Sequence, residues 1–377
     1  MSQIELYQKA LSGHIIDKVE FYRFRARYPR LHGKNARLSY HGFGGEVTAA
    51  KLYTNLGASG WGQLSDRLEV AKEALTLIIN KKLTSLFSCD AGILDDKLHA
   101  FDLPLHDLAG QILGIPVSKM IRETSLSKVK VYDGAIYMND IIPEDKPFGV
   151  QKVLDDSAFD YALGHRTLKI KIGRGSIWME HDAGLARDIE IVNKVHEAFP
   201  DVGIMVDAND GYSVSDSIAF LEGINNVPLY WFEEPFREEE KNNRMLKEYL
   251  LQHRPCTLIA DGESMTDIPL LFDLADKGLM DVWQPDVCGY GFTPWRKLMK
   301  TLEGKGYLAS PHAWGNVVKT HYCAHLAAAY PHHIPMIESV LGESEGVDYS
   351  GYQLSNGVLT IPQKPGFGMD LVWAPQV

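Results

Sequence analysis

The amino-acid sequence predicts an α/β protein in which a closed TIM-type barrel follows an α+β unit. From Val129 onward, short apolar runs alternate with stretches of helical composition, a pattern typical of a parallel sheet covered by helices. Eight such runs occur, at a spacing comparable to the roughly 30 residues per unit of an eight-stranded barrel. The first third instead contains strands followed by helices. We therefore predict a cap at 1–127, completed by the tail at 350–377, and a barrel at 128–349.

The predicted cap contains three strand-like segments and a helical region. Residues 14–25 alternate in character and predict a strand, and residues 46–65 predict two strands joined by a Gly-containing turn. Helical periodicity runs through 65–122. Residues 26–45, rich in Gly, Arg and His, predict a loop whose length is itself a sign of function.

The predicted barrel strands are the eight apolar runs of the second part of the chain. They read VKVYDGAIY, TLKIKIG, GIMVDAN, LYWFEEP, TLIADGE, DVWQPD, YLASPHA and PMIESV. The stretches between them have the length of crossover helices, and an open doubly wound sheet is the alternative on this pattern alone. The tail, GYQLSNGVLTIPQKPGFGMDL, contains Asn-Gly and Pro-Gly turns, and we expect it to pack on the first third.

Composition narrows the class of protein. The chain has 377 residues, 45% hydrophobic and 23% charged, with a formal net charge of −11. This charge argues against nucleic acid or an anionic membrane as the main partner, and no apolar run approaches the roughly 20 residues of a membrane span. Four cysteines occur without Cys-x-x-Cys spacing, so we expect buried free thiols in a cytoplasmic protein.

Ionisable or polar groups follow seven successive predicted barrel strands, from the second to the eighth. One charged residue at a strand end is ordinarily a satisfied surface group. Seven sets converging on the carboxyl end of a barrel indicate an active site, because charges close to each other and to a core are costly unless they are used or paired. The residues are Lys169 and Lys171, Asp207 and Asn209, Glu233, Asp261 and Glu263, Asp286, His312, and Glu338.

The carboxylates at the third, fourth and fifth strand ends predict a metal site. Asp207, Glu233 and Glu263 would repel one another unless a cation lies among them. Ligation by oxygen alone favours Mg²⁺, one ion per subunit, and separate salt bridges are the alternative. Asp261 and Glu263 are two residues apart on the same face, so strand alternation does not choose between them.

Three further groups predict acid/base chemistry. Lys169 and Lys171 share one face of the second strand, and we expect their ammonium groups to lower each other's pKa. Asp286 and His312 end adjacent strands, within reach of a hydrogen bond that would orient the imidazole. Glu338, at the eighth strand, would donate to a substrate carboxylate if its pKa is raised.

The order TLKIKIG, IMVDAN, WFEEP, DGES, WQPD, SPHAW, MIES resembles the mandelate racemase subgroup of the enolase superfamily, and the resemblance covers nearly the whole chain. It implies an α+β cap on a (β/α)7β barrel. It also implies a role for each group at the strand ends: Asp207, Glu233 and Glu263 as Mg²⁺ ligands, Lys171 as one base with Lys169 as its pKa partner, an Asp286–His312 dyad as the second acid/base, and Glu338 facing the substrate carboxylate. The fifth strand, ADGES, departs from the family pattern, and we favour Glu263 because it aligns without a gap and lies nearer the strand end.

This chemistry removes the proton α to a carboxylate and forms an enediolate stabilised by Mg²⁺. Loss of a β-hydroxyl then gives a 2-keto-3-deoxy acid, whereas reprotonation on the other face makes a racemase or epimerase. The donor-rich segment 26–45 favours the first fate, with an aldonate or aldarate as substrate, unless that loop is merely solvated. A non-catalytic ligand-binding homologue is the remote alternative.

We expect a small-molecule carboxylate as partner and a homo-oligomeric assembly. Expected substrate contacts are Asn209, Arg27, Tyr40 and His41. The remaining donors of the 26–45 segment are Arg30, His32, Lys34, Asn35 and Arg37.

Overall fold

The computed structural model describes residues 2–224 and 226–377. The chain begins with helix α1 (Gln3–Leu11), where Ser2 and Glu5 form a capping box. An antiparallel sheet follows, made of β1 (Ile16–His32), β2 (Gly42–Thr54) and β3 (Ser59–Gln63). The prediction of a loop at 26–45 is therefore wrong in extent. β1 continues to His32, β2 begins at Gly42, and the connection is reduced to residues 33–41.

The helical part of the cap consists of short elements around one longer helix. These are α2 (Leu68–Glu73), α3 (Leu75–Ile78), α4 (Leu83–Leu86), β4 (Phe87–Ser88), β5 (Gly92–Ile93), a 3-10 turn (Asp96–Phe101), α5 (Asp102–Leu113) and α6 (Val117–Ile121). Helix α5 packs on β3 so closely that a Cβ atom at Gly60 would overlap the backbone of Leu108. The glycines of the GASGWGQL segment thus let helix and sheet approach.

All eight predicted barrel strands are confirmed. They are β6 (Lys128–Ile136), β7 (Thr167–Lys171), β8 (Gly203–Asp207), β9 (Leu229–Glu233), β10 (Leu258–Asp261), β11 (Val282–Trp283), β12 (Leu308–Ala309) and β13 (Ile337–Ser339). A 3-10 turn (Asn139–Ile141) follows β6. Successive strands from β6 to β12 pair in parallel, and β13 pairs in parallel with β6. This return of the last strand to the first excludes the open doubly wound sheet.

One helix connects each barrel strand to the next, which gives the (β/α)7β order. These helices are α7 (Val150–Ala162), α8 (His181–Ala198), α9 (Val214–Gly223), α10 (Glu240–His253), α11 (Ile268–Asp276), α12 (Phe292–Lys305) and α13 (Val317–Ala329). Leu168 and Ile170 form the apolar face of β7, which is buried against residues of the surrounding helices. The strand pleat turns Lys169 and Lys171 to the opposite face, as expected.

Register places the key side chains at one level. Lys171 is paired with Asp207 on β8, and Asp207 is paired with Glu233 on β9. All three residues end their strands. The carboxyl ends of β7, β8 and β9 therefore bring one ammonium group and two carboxylates to the same edge of the barrel.

The tail packs on the first third, as expected, and also on the barrel. Its strands are β16 (Gln353–Ser355), β17 (Val358–Thr360) and β18 (Asp370–Leu371), and two more, β14 (Glu343–Ser344) and β15 (Val347–Asp348), lie before the predicted boundary at 350. β14 pairs with β1, and the Trp61 indole donates to the carbonyl of Met369 at 2.9 Å. β17 extends the sheet at barrel strand β6, a contact that the sequence pattern did not predict.

Two sequence expectations about composition can be compared with the fold. All four cysteines are free, as expected, but only three are buried, because Cys256 is exposed. Among the helices of the described residues, none combines the length and the apolar character needed to cross a bilayer.

Candidate active site

Three carboxylates meet at the carboxyl end of the barrel. Asp207 ends β8, Glu233 ends β9, and Glu263 lies two residues beyond β10; each offers an oxygen atom within 4.8 Å of the others. Glu233 is fully buried and accepts hydrogen bonds from Trp231 and Gln284. Burial raises its pKa to about 8 despite the nearby charge of Lys169, since Asp207 and Glu263 repel a further negative charge. This group of residues could hold a metal ion.

Asp261, the competing carboxylate of the fifth strand, is turned toward other acids. Its Oδ1 accepts from the amide of Gly262 at 2.7 Å. Burial and the charges of Glu238 and Asp210 raise its pKa well above the ordinary range. It is not among the three carboxylates that converge within 4.8 Å.

The two lysines of β7 contact different members of this group. The Nζ atom of Lys169 contacts Glu233, and it lies 3.3 Å from Oδ2 of Asp207 and 3.1 Å from Oε1 of Glu338. The Nζ atom of Lys171 contacts Oδ2 of Asp207. Burial lowers the pKa of Lys169, but the surrounding carboxylates outweigh it and raise the pKa well above its ordinary value. The expectation that the lysines lower each other's pKa is thus wrong for Lys169.

A histidine–aspartate dyad lies across the same group. The Nδ1 atom of His312 is 2.8 Å from Oδ2 of Asp286, and its Nε2 atom is 3.1 Å from Oε2 of Glu263. Burial lowers the pKa of His312, but Glu263, Glu338 and Asp286 outweigh it and raise the pKa to about 9. With Nδ1 directed at Asp286, the other ring nitrogen faces the carboxylate group.

Glu338 ends the ring of charged groups at β13. One of its oxygens contacts Lys169 and the other accepts from the amide of Ala313 at 2.9 Å. Burial raises its pKa, but the charges of Lys169 and His312 reverse this effect and lower the pKa to about 2. The condition under which Glu338 would donate a hydrogen bond, a raised pKa, is therefore not met in this structure.

Asn209 stands behind the carboxylates, in a left-handed conformation with φ +43°. Its backbone amide donates to Oδ1 of Asp207 at 2.8 Å. Its side-chain Nδ2 atom lies 3.2 Å from Oε2 of Glu234 and 3.3 Å from Oε1 of Glu263. The residue is almost fully buried, and its Oδ1 atom has no hydrogen-bond partner among the described residues. This oxygen is itself enclosed by protein atoms and is almost inaccessible to solvent.

The loop at 33–41 covers this site from the cap. The Nδ1 atom of His41 is 2.8 Å from the carbonyl oxygen of Gly33. Its ring centroid lies 4.5 Å from that of Tyr137 and 5.7 Å from that of Trp314. Burial lowers its pKa, and the nearby charge of Lys171 adds to this effect. A neutral His41 would direct its Nε2 lone pair away from Gly33.

The wall beside this loop is formed by His32 and by three aromatic residues that no sequence pattern marked as site residues: Tyr28, Tyr137 and Trp314. Tyr28 stacks on His32 at 4.2 Å between ring centroids, and both rings contact Trp314. Tyr137 lies 5.0 Å from Trp314, and its ring is 5.6 Å from the Nζ atom of Lys171. The alternation of Tyr28 and His32 along β1 is the signal that could have identified their common face.

Other donors of the 26–45 segment have different positions. Arg30 is buried on β1 and paired with Asp160, so the prediction that it belongs to a loop is wrong. Lys34 is also buried, with its Nζ atom 4.2 Å from the Trp178 ring. The Asn35 carbonyl accepts from the indole of that same Trp178 at 2.6 Å.

The expected substrate contacts Arg27 and Tyr40 lie further out than His41. Arg27 is exposed on β1, and its Nε atom is 2.5 Å from Oε1 of Glu345. The hydroxyl of Tyr40 lies 3.2 Å from both oxygens of Glu144, which is itself exposed. Among the contacts of the described residues, none joins Arg27 to the carboxylate group.

Arg37 was one of several donors in the sequence, and the structure distinguishes it from the rest. Its guanidinium group lies 3.1 Å from Asp210, 3.0 Å from Glu234 and 3.9 Å from Glu263. It also donates to the hydroxyl of Ser264 at 2.6 Å. Arg37 therefore joins the cap loop to the barrel beside the carboxylate group.

Comparison with known proteins agrees with this arrangement. The family model described as enolase C-terminal domain-like matches residues 154–374. A solved galacturonate dehydratase from Geobacillus sp., in complex with D-galacturonate and 5-keto-4-deoxy-D-galacturonate, is 33% identical over 95% of this chain and 94% of that chain, with a TM-score of 0.86. A mandelate racemase/muconate lactonizing protein from Geobacillus sp. Y412MC10, in complex with magnesium and tartrate, is 33% identical over 95% of this chain and 93% of that chain, also with a TM-score of 0.86.

A curated relative extends the comparison. The D-galactarolactone cycloisomerase of Agrobacterium fabrum is 27% identical over 296 residues, which are 74% of this chain and 72% of that protein. The family model covers more than half of the chain, and the first two structural matches cover nearly all of it. The chain belongs to the enolase superfamily, in the group that contains mandelate racemase and muconate lactonizing enzyme.

Proposed function

We propose that this protein is a Mg²⁺-dependent dehydratase of a sugar acid. The observation that carries the proposal is that two candidate acid/base groups contact two different members of one carboxylate group. Lys171 contacts Asp207, and the Nε2 atom of His312 lies 3.1 Å from Glu263. A substrate held at these carboxylates would therefore have one acid/base group from β7 and another from the loop after β12 beside it.

The donor set fits magnesium. Asp207, Glu233 and Glu263 supply only carboxylate oxygens. Burial raises the pKa of Glu233, the charges of Asp207 and Glu263 raise it further, and a divalent cation would offset both effects. When bound there, Mg²⁺ would supply Lewis-acid stabilisation of the negative charge that develops on a substrate carboxylate. The complex of a 33% identical protein with magnesium and tartrate supports this choice of ion.

Each of the charged side chains then has a separate role in the elimination. Lys171 removes the proton α to the carboxylate, and the ammonium group of Lys169 stabilises the enediolate that results. The Nε2–H group of His312 donates a proton to the departing β-hydroxyl, while Asp286 holds the imidazole by its Nδ1 atom. Glu338 stays ionised and orients Lys169. The hydroxyl leaves as water, and the enol product tautomerises to a 2-keto-3-deoxy acid.

The substrate class follows from the walls of the site. His41 offers a hydrogen-bonding atom suited to a hydroxyl group, and Trp314 and Tyr137 offer ring faces on which a sugar acid packs. We extend the aldonates and aldarates to include hexuronates, because a relative with 33% identity was solved with D-galacturonate.

A racemase or epimerase is the second candidate. The same two groups could remove and return a proton at one carbon, Lys171 for one configuration and His312 for the other. Elimination is favoured because a dehydratase is among the matches that cover nearly the whole chain.

The test is a screen of hexuronates, aldonates and aldarates with the Mg²⁺-loaded enzyme in ²H₂O. Keto products are trapped with semicarbazide, and α-proton exchange is followed by ¹H NMR. Lys171→Ala and a sample treated with EDTA are the controls. Formation of a keto acid that both controls abolish supports the proposal. Inversion at the α-carbon with no keto product would favour the epimerase, and neither exchange nor product with any acid would contradict both.

A further inference from the structure

The carboxylate of Asp286 carries two cationic partners, and the second of them belongs to a helix outside the ring of strand ends. Its Oδ1 atom accepts from the amides of Cys288 at 2.9 Å and Gly289 at 2.7 Å. Its Oδ2 atom accepts from His312 at 2.8 Å and also contacts the Nζ atom of Lys319. Every lone pair of this carboxylate is thus directed at a donor, and its orientation is fixed.

Lys319 is the third residue of α13, and its side chain runs back toward the barrel mouth. The Nζ atom that contacts Asp286 also donates to the carbonyl of Trp314 at 2.7 Å. The residue is only 7% exposed. Burial of an ammonium group is costly unless charged and polar partners offset its desolvation. The contacts of Lys319 with Asp286 and Trp314 supply these partners.

The two acceptors of Lys319 lie in different loops. Asp286 follows β11, and Trp314 belongs to the loop between β12 and α13 that also carries His312. One ammonium group therefore joins the carboxylate that orients His312 to the backbone of the loop on which His312 stands. The ring of Trp314 forms part of the wall of the site, so the same bond also places that wall.

We infer that Lys319 is a positioning residue for the elimination step, which holds the Asp286 carboxylate and the loop at 312–314 in the geometry that aims the Nε2 atom of His312 at the departing hydroxyl. This inference rests on the proposed function. Without Lys319, the Asp286 carboxylate keeps its backbone donors and its bond to His312, but it loses the ammonium group that also binds the carbonyl of Trp314. His312 then samples orientations in which Nε2 no longer faces the carboxylate group.

The test compares Lys319→Met, Lys319→Arg and Thr320→Val. Thr320 is the matched control, because it is buried on α13 beside Lys319 and its hydroxyl accepts from the amide of Val340 at 3.0 Å without touching Asp286. Titration with Mg²⁺ by calorimetry counts the correctly folded sites of each variant, and kcat is expressed per site.

Loss of a group that orients a metal-binding histidine typically lowers metal affinity or activity by about 10- to 100-fold, and we use the same range for this dyad. We expect a kcat decrease in this range for Lys319→Met, with KM changed less than about threefold and full Mg²⁺ stoichiometry. Lys319→Arg should recover most of kcat, and Thr320→Val should retain it. A kcat per site for Lys319→Met equal to that of Thr320→Val would overturn the inference. If Lys319→Met does not fold, Lys319→Gln takes its place with the same criteria.

Crystal structures of the same variants separate this inference from the proposed function. If the wild-type enzyme dehydrates no sugar acid, the proposed function fails, but the position of the dyad still decides the role of Lys319. A rotated His312 ring, or an Nδ1–Oδ2 separation longer than the 2.8 Å of the present structure, supports the inference. An unchanged dyad and an unchanged Trp314 in the Lys319→Met structure would contradict it.

Discussion

The Nη2 atom of Arg37 lies 3.0 Å from Oε2 of Glu234, so an ion pair joins the loop at 33–41 of the cap to the residue that follows Glu233 in the barrel. The same guanidinium group reaches Asp210 and Ser264. The loop that carries Tyr40 and His41 is therefore attached to the barrel beside the carboxylate group through Arg37, in addition to the bond from the Trp178 indole to the carbonyl of Asn35.

Arg37→Met should raise KM for the substrate by about tenfold, because a loosened loop adds an ordering cost to binding. The effect on kcat should be smaller. Steady-state kinetics measure both constants. Arg27→Met is the matched control on β1, where the pair with Glu345 is exposed. A larger KM increase for Arg27→Met than for Arg37→Met would show that the outer end of β1, and not this loop, contributes to substrate binding.

The fifth barrel strand offers a direct comparison of two carboxylates. Glu263→Gln should abolish Mg²⁺ binding in calorimetry, as should Asp207→Asn and Glu233→Gln, because each removes a charged ligand from the group of three. Asp261→Asn should keep Mg²⁺ affinity within about threefold, since burial and neighbouring acids raise the pKa of Asp261 and disfavour its charged form. The reverse order of affinities would mean that Asp261 is the ligand.

Arg30 gives a prediction about stability. Its guanidinium group contacts Asp160, lies 3.7 Å from Asp156 and donates to the carbonyl of Ala135 at 2.9 Å, all in the buried interior. Arg30→Met should lower the free energy of unfolding by about 1–3 kcal/mol, because it leaves Asp160 and the carbonyl of Ala135 buried without their hydrogen-bond donor. Urea denaturation measures this change. Arg23→Met, on the same strand with an exposed partner, is the control and should unfold like the wild type. Equal stability of the two variants would contradict the prediction.

The positions of Arg30 and Lys319 show what sequence patterns can and cannot predict. The barrel strands and the charged residues at their ends were predictable, because alternation and strand order alone place Lys171, Asp207 and Glu233 at one edge. Arg30 was assigned to a loop because its partner, Asp160, lies 130 residues away and no local pattern reveals it. Burial of an arginine depends on such a distant pair.

Lys319 was overlooked for a related reason. In sequence it is one lysine in the predicted helix VKTHYCAHLAAAY, where a lysine is ordinarily a solvated residue. Its neighbours Val318 and Thr320 are buried, and every residue of α13 after Val317 is buried as well. The apolar character of the whole helix was the available signal, since a single charged residue in a buried helix needs a partner.

Asp133 and Asp160 predict a pH dependence of stability. Burial raises the pKa of Asp133 to about 6 and that of Asp160 to about 8, where the charge of Asp133 adds to the effect. Both groups titrate near pH ~4 in the unfolded chain. The folded protein thus holds more protons than the unfolded chain between about pH 4 and pH 8, and this contribution to the free energy of unfolding falls as pH rises through that window.

Asp133→Asn should flatten this dependence, because it removes one of the two acids and the like charge beside Asp160. Urea unfolding of the wild type and the variant at several pH values across the window measures the difference. The stability of the wild type relative to the variant should decrease steadily as pH rises. A constant difference would mean that these acids are not protonated in the folded protein.

His312→Asn separates the two fates of the enediolate. In a dehydratase, the group that removes the α-proton and the group that assists the departing hydroxyl need not be the same. The variant should then form keto product at least about 100-fold more slowly, the lower range for loss of a positioned acid/base. Exchange of the α-proton by Lys171 should continue, because the contact of Lys171 with Asp207 does not involve His312.

A racemase would respond differently to the same substitution, because both groups act on one carbon. His312→Asn would then allow exchange of the α-proton in one configuration only and would abolish net inversion. Neither the wild type nor the variant would form a keto product. Starting each reaction in ²H₂O from each α-epimer of the substrate, and following deuterium and product together by ¹H NMR, distinguishes these patterns in a single experiment. The Asp286→Asn variant provides the matched comparison, since it keeps the imidazole but loses the charged acceptor 2.8 Å from Nδ1. We expect slowed elimination with persistent exchange in both variants; wild-type accumulation of the opposite epimer, without keto acid, would assign the enzyme to the racemases instead.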